Sequence, residues 1–235
     1  MAGHSKWSKI KRDKGANDAK RGAIFTRIGN MIAIAAKGGT DPAMNPSLAM
    51  AIEKAKQANM PKDNIQRSID RAADKNAAVL EEVTYEGYGP GGVGIIIETA
   101  TDNRNRTYPE VRTALTKNGG TIADAGSVMF QFTRKGVIRV NASGEDALLA
   151  VLDAGAEDAS EDEGELIVYN DMKDLHAVRQ AIVDAGLEVI DAELSYVPNN
   201  EVPLADEDAE AKLMKILDAI EDVDDVTNVH TNAAS

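Results

Sequence analysis

The chain has 235 residues, enough for two or three small domains, and its 43% apolar and 28% charged residues are ordinary for a folded chain, which excludes a disordered one. With no cysteine there is no disulfide framework and no thiolate metal site, and no apolar run is long enough to cross a bilayer or to form the core of a signal peptide; a cytoplasmic protein is expected. The formal net charge of −13 is unevenly spread, because residues 1–80 hold 15 Lys or Arg against 7 Asp or Glu, while residues 81–235 hold 11 against 32.

One end of the molecule therefore suits a polyanion, which the remainder repels beyond a Debye length of about 8 to 10 Å. The positive charge is densest at the N-terminus, where Lys6, Lys9, Lys11, Arg12, Lys14, Lys20, Arg21 and Arg27 face only Asp13 and Asp18. Each cation can neutralise a phosphate and release counterions, so steeply salt-dependent binding of nucleic acid is expected. Trp7, the single tryptophan, either stacks on an exposed base or pins the arm to a core; pinning is preferred, since aromatic anchors act mostly by burial.

Asp18 opens a predicted helix with Ile24, Phe25, Ile28, Ile32 and Ala35 on one face, ended by Gly38-Gly39. Asn45-Pro46 caps a second helix with Leu48, Ile52 and Ala55 inward, which stops near Met60 because Pro61 disfavours helix in the residue before it. Asp63 begins a third, with Ile65, Ile69 and Ala72 inward. Short connections between three amphipathic helices imply a small bundle.

After Asn76 the period changes from helical to alternating. Strands are predicted at 83–87 and 93–99 about a glycine turn, followed by a helix with Thr107 and Glu110 as a capping box and Gly119-Gly120 as its stop. Residues 127–132 and 137–140 read as strands about a Thr-Arg-Lys-Gly turn. Residues 136–198 then read strand, helix, strand, strand, helix, strand, with both helices ending in Asp-Ala-Gly, which is the ferredoxin-like order. A polar, proline-containing crossing leads to a helix at 207–220, with Leu213, Ile216, Leu217 and Ile220 inward, and a strand at 226–230 able to complete the earlier sheet.

The expected architecture is α+β and multidomain. An arm and three-helix bundle occupy 1–80, one α/β domain combines 81–132 with 200–235, and an acidic ferredoxin-like domain, 133–199, is inserted into it. The glycines at 87–94 match a dinucleotide fingerprint in spacing, but a strand follows them where that motif needs a helix, so they are read as an inter-strand turn. His4, His176 and His230 have no metal-spaced neighbours, so no metal or other cofactor is expected, and no nucleophile elbow or cysteine nucleophile is present. Asn103, Arg104, Asn105 and Arg106 join a strand to a helix start; the two arginines either hold a phosphate or pair with the acidic inserted domain.

The segments "AGHSKW", "KRGAIFTR", "NPSLAMAI", "YEGYGPGG", "DNRNRT" and "AGAED", in this order, resemble the YebC family, and the resemblance covers essentially the whole chain. It implies three domains and a non-enzymatic cytoplasmic regulator of gene expression, classed in bacteria as DNA-binding and transcriptional. The related mitochondrial translational activator of cytochrome c oxidase implies an alternative, a ribosome-associated factor that binds ribosomal RNA and relieves stalled translation. Matched residue by residue, the resemblance implies nucleic-acid contacts at His4, Lys6, Trp7, Lys9, Lys20, Arg21, Arg27, Asn103, Arg104, Asn105 and Arg106, with Ala23 replacing a residue that is often basic in the family. No helix-turn-helix with a polar recognition helix is evident, since the second helix offers only Glu53, Lys54, Lys56, Gln57 and Asn59 as readers.

Overall fold

The computed structural model describes residues 18–74 and 77–234, which contain seven α-helices and two antiparallel four-stranded sheets. Helices α1 (Asp18–Ala36), α2 (Pro46–Gln57) and α3 (Lys62–Ala73) turn their apolar stripes onto one core built on Ile28, Ile32, Leu48, Ala55, Ile65 and Ile69. Asn45 caps α2 by accepting from the Leu48 N–H at 3.1 Å, and Pro46 sits in the first turn, where a missing N–H costs nothing. The Asn45 amide also donates to the carbonyls of Ala35 and Gly39, both at 2.8 Å, so one side chain starts α2 and fastens it to the end of α1.

The first sheet has the order β3-β1-β2-β8, from β1 (Glu81–Tyr88), β2 (Gly94–Thr101), β3 (Thr121–Ala123) and β8 (Val226–Thr231). Helices α4 (Arg104–Lys117) and α7 (Glu207–Glu221) cover one face, packing Val111, Leu115, Leu213 and Ile216 on Ile95 and Ile97. Strand β2 is buried on both faces, with Ile96 packed beneath it against Val128 and Phe132, which explains its unbroken Ile95-Ile96-Ile97 run. Between β1 and β2 the chain turns at Pro90–Gly92, where φ values of 70° at Gly91 and 80° at Gly92 favour glycine.

The second sheet, order β5-β6-β4-β7, comprises β4 (Phe132–Val140), β5 (Asp158–Asp162), β6 (Glu165–Asn170) and β7 (Val189–Pro198). With α5 (Glu145–Asp153) and α6 (Leu175–Asp184) it has the ferredoxin-like strand and helix order. Both Asp-Ala-Gly endings are left-handed stops, with φ of 102° at Gly155 and 83° at Gly186.

Three local expectations are corrected. Helix α4 begins at Arg104 and is capped by Asn103, which accepts from the N–H groups of Asn105 and Arg106 at 3.1 and 3.2 Å; Thr107 is buried inside the first turn, not at a cap. Residues 129–131 form a 3₁₀ turn, because the buried Glu86 carboxylate accepts from the N–H groups of Gly126, Val128 and Met129 and bends that segment round itself. The Thr-Arg-Lys-Gly stretch is no turn but the interior of β4, paired throughout with β7. Strand β3 is an element that periodicity does not reveal, being only three residues long.

Candidate nucleic-acid interface

His4, Lys6, Trp7, Lys9, Lys11, Arg12 and Lys14 lie outside the described residues. Lys20 and Arg21 belong to the first turn of α1, and Arg27 follows about 10 Å further along the axis at 1.5 Å per residue. There the Arg27 guanidinium donates to the carbonyls of Val226, at 3.0 Å, and Glu221, at 2.6 Å. It thereby occupies a carbonyl at the C-terminal end of α7, where cations are favoured, and ties α1 to the start of β8.

That joint adjoins the Asn103–Arg106 loop. Asp225, one residue before β8 and 7% exposed, accepts from Thr101 at 3.0 Å, from Thr107 at 2.6 Å, and from Arg106 Nη2 on both of its oxygens, at 2.9 and 2.7 Å. Burial alone would raise its pKa, but the hydrogen bonds from Thr107, Arg106 and Thr101 outweigh that and hold the carboxyl below its usual range. Asp102 lies between two arginines, 3.2 Å from Arg106 and 3.6 Å from Arg71 of α3. Arg104 pairs with Glu81 at 2.7 Å, yet its side chain stays 62% exposed.

Arg27, Arg71 and Arg106, from three separate segments, thus meet around Asp102 and the chain entering β8, with Arg104 beside them on Glu81 of β1. Of the two alternatives for Arg104 and Arg106, pairing with the acidic domain at 133–199 is not observed, since their carboxylates come from β1, the residue after β2 and the α7–β8 connection. The start of α4 is also less open to an anion than the sequence implies, because Asn103 already satisfies two of its N–H groups. Arg71 and Asp225 join the corner, and Tyr108 and Arg112 extend the outer face of α4 beyond it, although no local motif in the sequence marks them as a site. The available signals are a basic last turn on α3 and an arginine one turn either side of a tyrosine.

The second helix faces elsewhere. Glu53 accepts from Arg179 at 2.7 and 2.6 Å, Lys54 bonds to Glu193, and Gln57 donates to the Ile190 carbonyl at 2.9 Å. Burial would lower the Lys54 pKa, but the carboxylates of Glu193 and Asp191 overcome it and hold the ammonium above its ordinary value. These polar residues of α2 are consumed in fastening the bundle to β7 and α6.

Where the bundle and both sheets meet, a cleft of about 670 Å³ opens, lined by apolar Met31, Ile34 and Leu194 beside Lys54, Glu98 and Arg134. Beside it, His230 lies 3.2 Å from Ser195 Oγ through Nδ1 and 3.0 Å from Glu98 through Nε2. The residue types match an acyl-transfer relay, but Ser195 is 7% exposed and is not among the side chains that line the cleft. The series joins β7 to β8. No group of metal-ligating side chains and no helix long and apolar enough to cross a membrane occurs among the described residues.

Two family models match the sequence: "TACO1/YebC protein N-terminal domain" over residues 5–75 and "TACO1/YebC second and third domain" over residues 80–233. Proteins named "probable transcriptional regulatory protein" are similar over nearly their whole length. That of Thermobifida fusca is 51% identical, covering 99% of this chain and 96% of its own, and that of Frankia casuarinae is 50% identical, covering 99% and 95%. A crystal structure of a conserved hypothetical protein from Aquifex aeolicus superposes with a TM-score of 0.86 at 40% identity, covering 92% of this chain and 91% of that one.

Proposed function

The chain belongs to the TACO1/YebC family, and we propose that it is a non-enzymatic regulator of gene expression that binds nucleic acid through its basic N-terminal segment and the arginine corner together. The observation that carries this reading is the course of α1. The helix runs from Arg27, inside the corner, back through Arg21 and Lys20 toward the most basic sequence in the chain. Two sources of positive charge remote in sequence would thereby form one surface on an acidic protein, as phosphate binding requires.

The names of the relatives, probable transcriptional regulatory proteins, favour transcription, for which DNA would be the ligand. A second reading, a ribosomal-RNA-binding factor acting in translation, is favoured by the state of α2, whose Glu53, Lys54 and Gln57 are occupied by the second sheet and its helix. With these three side chains occupied, α2 is poorly suited to reading base edges, and recognition of phosphate and shape suits folded RNA.

Ultraviolet crosslinking in cells, with sequencing of the RNA and DNA recovered, tests both. Crosslinks concentrated on ribosomal RNA select the translational reading, and discrete promoter sites with RNA at background select the transcriptional one. Reversing Lys9, Lys11 and Arg12 to Glu should abolish recovery of either without changing the melting temperature; retained recovery would remove the arm from the mechanism.

A further inference from the structure

Helix α4 carries Arg104, Arg106, Arg112 and Lys117 against a single acid, Glu110, inside a segment, residues 81–235, that has 32 acidic residues to 11 basic. Its buried stripe is Thr107, Val111 and Leu115, which leaves Arg104, Tyr108 and Arg112 one turn apart on the solvent side. Tyr108 is 41% exposed, so one side of its ring faces solvent. The ring is braced, because Tyr85 of β1, itself packed on the sheet core, meets it at a centroid distance of 5.9 Å and 46°.

The cations on either side are differently held. Arg104 is oriented by Glu81, whereas Arg112 is exposed and makes no ion pair among the described residues. An exposed aromatic ring between two guanidinium groups offers a face for stacking and charge for the flanking phosphates. Stacking of that kind needs a base whose face is free. Folded RNA presents such bases in loops and bulges, while duplex DNA keeps them inside the stack.

We propose that the Arg104–Tyr108–Arg112 face of α4 is a stacking site for an unpaired base of RNA. This rests on the nucleic-acid reading above and specifies it, because the arm and arginine corner would supply phosphate contacts blind to base pairing, and Tyr108 would supply the preference for a single strand.

The test measures fluorescence anisotropy of the full chain with a labelled, unstructured RNA oligonucleotide and with the same oligonucleotide fully paired to its complement. Tyr108→Ala is expected to weaken single-strand binding roughly 5- to 150-fold, the range for losing one stacked base, and to leave duplex binding unchanged. Tyr108→Phe, which keeps the ring, should restore it. Arg112→Ala should weaken single-strand binding and reduce the slope of log affinity against log salt by about 0.7. Thermal melts of each variant exclude misfolding as the cause: Arg112→Ala is expected to match the parent, and Tyr108→Ala to melt only a few degrees lower for the lost Tyr85 contact. Equal losses on both RNAs, or no loss with Tyr108→Ala, would overturn the stacking site while leaving the broader nucleic-acid reading intact. A parent protein that binds neither RNA would overturn the stacking site and the ribosomal-RNA reading together, leaving only the DNA reading.

Discussion

Arg106 donates through one nitrogen to both oxygens of Asp225, at 2.9 and 2.7 Å, and so closes the turn entering β8 onto the first turn of α4. The residues are 119 positions apart. Their contact fixes the orientation of the whole Asn103–Arg106 loop, since Thr101 and Thr107 donate to the same carboxylate. Arg106 is 46% exposed and Asp225 is not, so the carboxylate is the member whose loss leaves buried donors unsatisfied.

Asp225→Ala is therefore expected to destabilise by about 1 to 3 kcal/mol, the cost of removing the acceptor shared by two buried hydroxyls while Arg106 keeps Asp102 and Thr107 keeps the Asn103 carbonyl, and to lower the melting temperature by roughly 2 to 12 °C. Asp225→Asn should cost less, because an amide oxygen still accepts from Thr107. Urea denaturation of the three proteins checks the order; identical midpoints would mean that the network does not contribute to stability.

Arg104 and Arg106 look alike in sequence and should behave differently. Arg104→Ala removes an exposed pair with Glu81, expected to change stability by less than about 1 kcal/mol while reducing the salt slope of nucleic-acid binding by roughly one phosphate contact. Arg106→Ala should lower stability measurably, with a loss of binding that follows from the loosened loop. A combined melting and salt-titration series separates the two roles, and the assignment fails if Arg104→Ala proves the more destabilising.

The same contrast separates what is legible in the sequence from what is not. Helices α1, α2, α3 and α7 are readable because their inward residues, among them Ile28, Ile32, Leu213, Ile216 and Leu217, recur within a few positions of one another. The Asn45 cap and the two Asp-Ala-Gly stops are readable too, since each depends only on its immediate neighbours. The arginine corner is not legible, because its acceptors are Asp225 and two backbone carbonyls that only the tertiary fold brings to Arg106 and Arg27. Glu86 is hidden for the same reason, being a strand residue whose three N–H donors lie about forty positions away.

Arg27→Ala should loosen α1 from the first sheet, since it removes charge-assisted bonds to Val226 and Glu221, each worth about 1.5 to 3 kcal/mol. Arg27→Lys is expected to recover only part of this, because a single ammonium does not span two carbonyls as the guanidinium does. Hydrogen exchange should show faster opening of α1 and of the α7–β8 connection together. Faster exchange in α1 alone would mean that Arg27 does not couple them.

Glu98 of β2 faces His230 at 3.0 Å, the Asn228 amide at 3.3 Å and Arg134 of β4 at 3.6 Å. Burial would raise its pKa, but the hydrogen bond and charge of His230, followed by the charge of Arg134, outweigh this and hold the carboxyl below its usual value. A carboxyl depressed in the folded state contributes stability that is present above its unfolded pKa and is lost as pH falls through the folded one. Asp225 has the same sign. Urea midpoints should therefore fall between about pH 5 and pH 2, and Glu98→Gln should flatten that fall while lowering the midpoint at neutral pH. Because Glu98 joins β2 to β4 through Arg134, loosening between the two sheets should accompany the acid transition, and exchange at β4 and β8 measures it. An unchanged acid slope in Glu98→Gln would show that other carboxyls carry the dependence.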